Sequence, residues 1–169
     1  CYPAKLLHGH VEALVEAGVD SIFYPCMPYN FDEGKSDNNY NCPVVAYYPE
    51  LLAANVPDLK KVRYFNPYFG LHRPRDFAKR AEAWFAEQFQ IPKRETAAAV
   101  KAAYAAYDDY KNDLRAKAQE FIAQARKEER PILIVAGRPY HMDPEINHGI
   151  NDLITSFGFV LVTEDALSY

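Results

Sequence analysis

Hydrophobic positions recur along the chain in alternating helical and strand-like segments. Residues 4–17 carry apolar side chains at helical spacing, and a short β-type run follows at residues 19–24. Residues 43–55 fit a second helix, and residues 60–65 fit a second strand. The pattern predicts an α/β fold, a parallel sheet flanked by helices in Rossmann-like βαβ units. The predicted buried face of the first helix is Leu7, Val11 and Leu14.

The middle of the chain is helical in pattern. One amphipathic segment ends before Pro92, and residues 93–129 form a longer one. Apolar residues recur in the longer segment at intervals of seven, at Val100, Tyr107, Leu114 and Phe121, with Tyr104, Ala118 and Ala125 interleaved. A core-facing stripe with a solvated back is favoured over a coiled-coil dimer helix. We therefore expect a helical insertion at residues 75–129 within a single α/β fragment, residues 1–169.

A βαβ unit is predicted after the insertion. Residues 130–137 are typical of a buried strand, and residues 159–162 fit the next one. Asp143 followed by Pro144 is a strong signal for the start of the intervening helix, which Gly158 ends. The predicted buried face of that helix is Ile146, Ile150, Leu153, Ile154 and Phe157.

Composition narrows the possible classes of protein. The sequence has 169 residues, 49% of them hydrophobic and 25% charged, as in ordinary globular domains. Its net charge of −4 gives no support to nucleic-acid binding, and no run is long and apolar enough to span a membrane. The chain starts without Met and in mid-motif, so we expect it to be part of a longer protein.

Three cysteines, Cys1, Cys26 and Cys42, are the first candidate site. An odd number does not suit a disulfide framework, so a reducing cytoplasm is expected. Cys26 follows the first predicted strand, at the edge where α/β sheets bind ligands. Cys42 precedes the second predicted helix, where the helix dipole favours a thiolate. Their long intervals leave two alternatives open, a shared metal site and three thiols that only pack.

Two further groups of residues are candidates for substrate binding. Lys5, His8 and His10 follow Cys1 on the first predicted helix, and Gly9 there indicates close approach by another segment. The alternative is one histidine hydrogen-bonded locally and the other in solvent.

The other group is Arg138, Tyr140 and His141, with His148 and Asp143 nearby. It follows a predicted strand and precedes a helix N-terminus that could receive an anion, such as a phosphate of CoA. Plain helix capping is the alternative. The segment lacks a P-loop or G-x-G-x-x-G pattern, so ATP hydrolysis is not expected of it.

Four segments together resemble one family. They are residues 1–10 (CYPAKLLHGH), 24–27 (YPCM), 41–50 (NCPVVAYYPE) and 137–150 (GRPYHMDPEINHGI). They are similar to CoA-substrate-specific enzyme activases, or acyl-CoA dehydratase activase-related proteins. The region concerned is also similar to the iron–sulfur subunits of 2-hydroxyacyl-CoA dehydratases.

The resemblance implies an iron–sulfur domain of an anaerobe. Cys1, Cys26 and Cys42 would hold one [4Fe–4S] cluster whose fourth iron stays open, for low-potential electron transfer or reductive chemistry on CoA thioesters. ATPase modules of the same parent chain would drive the electrons, with an acyl-CoA substrate or a dehydratase as partner. Two alternatives remain, a zinc site using cysteines with His8 or His10, and a docking module built on the aromatic residues 24–48.

Overall fold

The chain forms two compact units, Cys1–Val100 and Lys101–Tyr169. The structure, a computed structural model, describes residues 2–32, 34 and 36–167. Each unit contains a pair of parallel strands joined through helical segments. The predicted α/β class with parallel strands is therefore confirmed. The description of the chain as one fragment with an insertion stays a prediction.

The first unit alternates helices and strands. In chain order it contains α1 (Tyr2–Glu16), β1 (Ser21–Phe23), α2 (Pro43–Asn55), a 3-10 turn (Pro57–Lys61), β2 (Arg63–Phe65) and α3 (Pro74–Phe89). The predicted second strand is shorter than expected, because Pro57 opens the 3-10 turn and Lys61 pairs with Asp58 at 2.9 Å within it.

Both faces of the β1–β2 pair make apolar contacts with helices. Strand residues alternate between the faces, so Ile22 joins a core cluster while Phe23 and Phe65 contact Trp84, at ring-centroid distances of 5.3 and 5.5 Å. Trp84 lies on α3, which therefore covers one face. The cluster on the other face is Val11, Ile22, Tyr48, Leu52, Val56 and Leu59.

Helix α1 packs through a different face from the one predicted. Leu7 and Val11 contact the core as expected, but Leu14 is 43% exposed and Val15 takes its place. Helical spacing explains why Leu14 is exposed. The positions that contact the core, 4, 7, 11 and 15, follow the 3.6-residue repeat, and position 14 lies outside that face.

Helix α4 (Lys93–Lys127) runs from the first unit into the second. In the second unit its buried face is Leu114, Ala118 and Ile122, which contact the sheet cluster, with Ala125 also buried. The predicted stripe was confirmed at Ala118 and Ala125, which are buried, and was wrong at Tyr107 and Phe121, which are 44% and 50% exposed. A strict seven-residue repeat drifts by about 20° per heptad on a straight helix.

The second unit continues with short elements. They are β3 (Ile132–Val135), a 3-10 turn (Pro139–Met142), α5 (Pro144–Asn147), α6 (Ile150–Ser156), β4 (Val160–Thr163) and a 3-10 turn (Glu164–Ala166). Strands β3 and β4 pair in parallel, with Ile132 opposite Val160.

Two predictions about this unit were wrong. Strand β3 is not buried as predicted, since Ile132 and Ile134 are 36% and 56% exposed. The predicted single helix is broken at His148 and Gly149, which both adopt left-handed backbone angles. That break resets the helical phase, so the predicted buried face is exposed at Ile150, Leu153 and Phe157.

Candidate functional site

Cys26 lies just beyond the carboxyl end of β1, where the sequence places it. A parallel bridge to Tyr68 continues the β1–β2 pairing. The N–H of Cys26 donates to the carbonyl of Pro67 at 2.9 Å, and its carbonyl accepts from the N–H of Phe69 at 2.9 Å. Its side chain is fully buried. The backbone on both sides therefore fixes the position of this thiol.

Cys42 occupies the N-cap position of α2. Its carbonyl accepts hydrogen bonds from the N–H groups of Val45 and Ala46, each at 3.0 Å, and its side chain is exposed. The side chain makes no capping hydrogen bond. Pro43 supplies the first helical residue, as expected of a position whose N–H has no helical partner.

Proline inside α2 links the two cysteine segments. Pro49 has no N–H, so the carbonyl of Val45 lacks its usual donor in the helix. That carbonyl instead accepts from the N–H of Met27 at 3.3 Å. The side-chain amide of Asn41 donates to the Met27 carbonyl at 2.8 Å. Met27 follows Cys26, and Asn41 precedes Cys42. The hydrogen bonds of these two residues therefore connect the two cysteine segments.

Polar groups surround the Cys26 sulfur. Burial and the negative charge of Glu50 raise the pKa of the Cys26 thiol, while hydrogen bonds from the Glu50 peptide N–H and the Tyr68 hydroxyl act in the opposite direction. The Tyr68 hydroxyl also binds the Glu50 carboxylate, which raises the pKa of Tyr68. Cys26 is therefore a fully buried side chain with polar groups among its neighbours.

Further tyrosines extend this environment. Burial raises the pKa of Tyr24 and of Tyr64, and in both cases Cys26 adds to the increase. The Tyr64 hydroxyl donates to the carbonyl of Pro49 at 2.9 Å. Tyr68 could not be identified from the sequence, because its pairing with Cys26 depends on strand register. Tyr24 and Tyr64 both lie in predicted strands, at residues 19–24 and 60–65. That position is the signal from which they could have been identified.

His8 is joined to the same region through Tyr48. The Tyr48 hydroxyl donates to the Ala4 carbonyl at 2.7 Å and lies 2.8 Å from Nδ1 of His8. His10 and Lys5 are exposed. This is the arrangement of one bonded and one solvent-facing histidine that was the alternative to a shared pocket. The expectation for Gly9 was wrong, because a Cβ there would meet no atom within 4 Å.

The second group of predicted residues lies in the second unit. Nδ1 of His141 accepts from the N–H of Arg138 at 3.2 Å, and the rings of Tyr140 and His141 meet edge to face at 4.5 Å. The predicted N-cap is confirmed, since the Asp143 carboxylate accepts from the N–H groups of Glu145 and Ile146. The Asp143 carboxylate thus already accepts from two N–H groups that would otherwise be free to bind an anion. This favours helix capping over anion binding at this N-terminus.

A cavity of about 230 Å³ opens at the carboxyl ends of β3 and β4. Arg138 lines it together with Thr163, Glu164 and Asp165. The position is the ligand edge expected of parallel sheets. One arginine beside two carboxylates does not favour a multiply charged phosphate.

The chain matches one protein family over nearly its whole length. Residues 1–167 match the family described as CoA enzyme activase uncharacterised domain (DUF2229). The chain belongs to this family. No curated protein and no solved structure matches it. The similarity to dehydratase iron–sulfur subunits stays an interpretation of the sequence.

The described part of this CoA enzyme activase domain supplies two of the three predicted thiol ligands. Cys1 lies outside the described residues, so the full set has no described geometry. Within residues 2–32, 34 and 36–167, no three His, Cys, Asp or Glu side chains are grouped to hold a metal ion. Cys26 and Cys42 nevertheless suit a thiolate-bound metal by residue type and by their linked backbone segments.

No helix in the described residues of the CoA enzyme activase domain has both the length and the apolar character needed to cross a bilayer.

Proposed function

We propose that this CoA enzyme activase domain carries a [4Fe–4S] cluster on Cys1, Cys26 and Cys42, in an activase-type system that works on CoA thioesters. The observation that supports the proposal is the pair of hydrogen bonds at Met27, which joins the Cys26 segment to the start of α2 beside Cys42. Without this link, thiols 16 positions apart in sequence would not share a neighbourhood.

The chain's own groups have distinct tasks in this proposal. Hydrogen bonds of the Cys26 backbone with Pro67 and Phe69 fix the position of a ligating thiolate at the end of β1. Cys42 is exposed and offers its sulfur without rearrangement of the core. A bound cluster with three thiolates would supply electron transfer and an open iron site. A reducing cytoplasm would keep the thiols available.

Substrate contacts would come from the predicted polar residues. Lys5 and His10 are exposed on α1, and His8 connects to the cysteine region through Tyr48. Arg138, Tyr140 and His141 follow β3 in the second unit. The ATPase modules of the parent chain and an acyl-CoA substrate or dehydratase partner remain part of the proposal.

Anaerobic reconstitution of the full chain with iron and sulfide tests the cluster. Wild type should gain broad visible absorbance with near-stoichiometric iron and sulfide, and Cys42→Ser should lose both. Serine is a favourable N-cap residue, so this variant should keep its fold, which circular dichroism checks. Cys26→Ser should lose the absorbance as well, whereas Ser36→Ala in the exposed loop should retain it.

Two results would overturn the proposal. A colourless protein that holds stoichiometric zinc, lost on Cys42→Ser, supports the zinc site. Protein that takes up neither metal supports the docking module, which the exposure of Tyr40 and Tyr47 at 69% and 49% favours.

A further inference from the structure

A small cavity of about 120 Å³ lies at the start of α3. The loop before the helix and the first two turns of the helix form its wall, and the lining residues are Gly70, His72, Arg73, Asp76, Phe77 and Arg80. All of them belong to the first unit. The volume is below the roughly 300 Å³ at which pockets for drug-sized molecules begin, so the cavity suits one charged group and not a whole cofactor.

Two arginines share this cavity because of helical spacing. Arg73 and Arg80 are seven residues apart, which places them on the same face of the helix over two turns. Arg73 reaches the Asp76 carboxylate only at 4.0 Å, and both side chains are largely exposed, so this ion pair holds the guanidinium weakly. Arg80 makes no ion pair or hydrogen bond with any described residue. With two guanidinium groups and one carboxylate, the cavity is positively charged.

His72 contributes a buried nitrogen to the same cavity. Its Nδ1 atom is buried and has no hydrogen-bond partner among the described residues. The ring packs against Tyr29, at a centroid distance of 4.6 Å. A Cβ added at Gly70 would lie 3.0 Å from this Nδ1 and 2.9 Å from the neighbouring Cε1, so this edge of the ring faces space that the glycine leaves open. A buried polar atom without a partner costs free energy, which a bound acceptor would recover when Nδ1 carries the proton.

The charges at this end of α3 run against the usual preference. A helix N-terminus carries positive partial charge, which favours Asp and Glu there and disfavours Arg. The N-cap residue is nevertheless Arg73, whose side chain cannot accept a hydrogen bond, and Arg75 follows in the first turn. Departures from local preference are expected at binding sites, where a ligand supplies the missing charge.

We propose that this cavity binds a phosphate group, held by Arg73, Arg80 and the Nδ1–H of His72 at the positive end of α3. Guanidinium groups match phosphate oxygens with paired hydrogen bonds, and a dianion carries enough charge for two of them. The ligand is either free phosphate or the phosphate end of a larger molecule that extends into solvent. The site goes beyond the proposed cluster and uses none of the three cysteines.

Calorimetric titration of the full chain with inorganic phosphate at low ionic strength tests the site. Wild type should show saturable binding of one phosphate, and its absence would overturn the proposal outright. Arg80→Gln should weaken binding by about tenfold, the effect of losing one charge-assisted hydrogen bond. Glycerol 3-phosphate separates the two sources. Similar affinity supports the phosphate end of a larger molecule, and binding of inorganic phosphate alone supports the free anion.

The matched control for charge is Arg75→Gln. Arg75 lies in the same helical turn as Asp76 and is exposed, but it does not line the cavity. The variant removes the same charge as Arg80→Gln, and it should weaken binding by about twofold or less because exposed charges are screened. Equal weakening by the two variants would show only general attraction to a basic surface, and the site would be refuted.

Gly70→Ala tests the geometry with no change of charge. The backbone of Gly70 is not in the left-handed region, so alanine is compatible with it, but the added Cβ would occupy the space beside Nδ1 of His72. Phosphate binding should weaken by about fivefold or more, the loss of roughly one hydrogen bond. The control is Gly9→Ala, where a Cβ meets no atom within 4 Å, and circular dichroism checks the fold of both variants.

Wild-type affinity in Gly70→Ala would contradict the role of His72. Cys42→Ser should bind phosphate as wild type does. A failure of the cluster and a failure of the phosphate site are therefore separate results.

Discussion

Neighbouring residues on α2 differ sharply in their surroundings. Leu52 is fully buried in the first unit's core, while Leu51 next to it is 44% exposed. The same side chain thus occurs in both environments one position apart. This contrast separates the energetic contribution of burial from that of residue type.

Leu52→Ala should destabilise the first unit by about 2–5 kcal/mol, because it removes buried methyl groups and leaves a cavity. The matched variant Leu51→Ala should change the free energy of unfolding by about 0.5 kcal/mol or less. Urea denaturation measures both. Similar losses in the two variants would contradict the burial difference.

Some positions in the candidate site could be predicted because local chemistry determines them. Pro43 marks the start of α2, so the N-cap position of Cys42 follows from the sequence alone. The pairing of Cys26 with Tyr68 could not, because it joins segments about 40 residues apart. Leu14 shows the same limit on a helix, where a one-residue phase error exposes an apolar side chain.

At the scale of elements, α2 combines a helix with a binding surface for another segment. Pro49 removes one helical hydrogen bond, and Met27 uses the carbonyl left free at Val45. A residue that weakens the helix therefore strengthens the contact between two segments.

Pro49→Ala tests this arrangement. The new N–H would bind the Val45 carbonyl and displace Met27, so the Met27 amide should exchange with solvent about fivefold faster, the loss of roughly one hydrogen bond. Hydrogen exchange followed by NMR measures the rate. The Cys26 amide, which donates to Pro67, is the internal reference and should be unaffected. Unchanged protection of Met27 would count against the link.

Element predictions succeeded where caps were explicit and failed where burial depended on neighbours. Asp143 and Pro144 correctly fix the start of α5. The break at His148 was not predictable from apolar spacing, because a non-glycine residue in the left-handed region has no strong sequence signal. The exposure of Ile134 on β3 likewise depends on what covers each face of the sheet, and an apolar run does not reveal this.

At the scale of the whole molecule, several groups in the first unit bind their protons more tightly when folded. The pKa values of Cys26, Tyr24, Tyr64 and Tyr68 are all raised. Their contribution to stability is fully present below the ordinary pKa of each group, and it is lost as pH rises through the raised value. The protein should therefore lose stability in alkaline solution.

Tyr64→Phe should make that loss less steep above about pH 10, by at most about 1.4 kcal/mol per pH unit, the contribution of one proton. Denaturation at a series of pH values between about 8 and 11 measures the slope. Tyr40→Phe, at a ring that is 69% exposed, is the control. An identical alkaline slope in wild type and Tyr64→Phe would disprove the role assigned to this group.

Trp84 is the only tryptophan in the sequence, and it lies within the aromatic contacts between α3 and the β1–β2 pair. Its fluorescence emission should shift to longer wavelength when water enters those contacts, so it reports on the first unit directly. The unit Lys101–Tyr169 has no such intrinsic reporter. A melting curve recorded by fluorescence and one recorded by far-ultraviolet dichroism need not coincide, and a gap between them would measure how far the two units unfold independently.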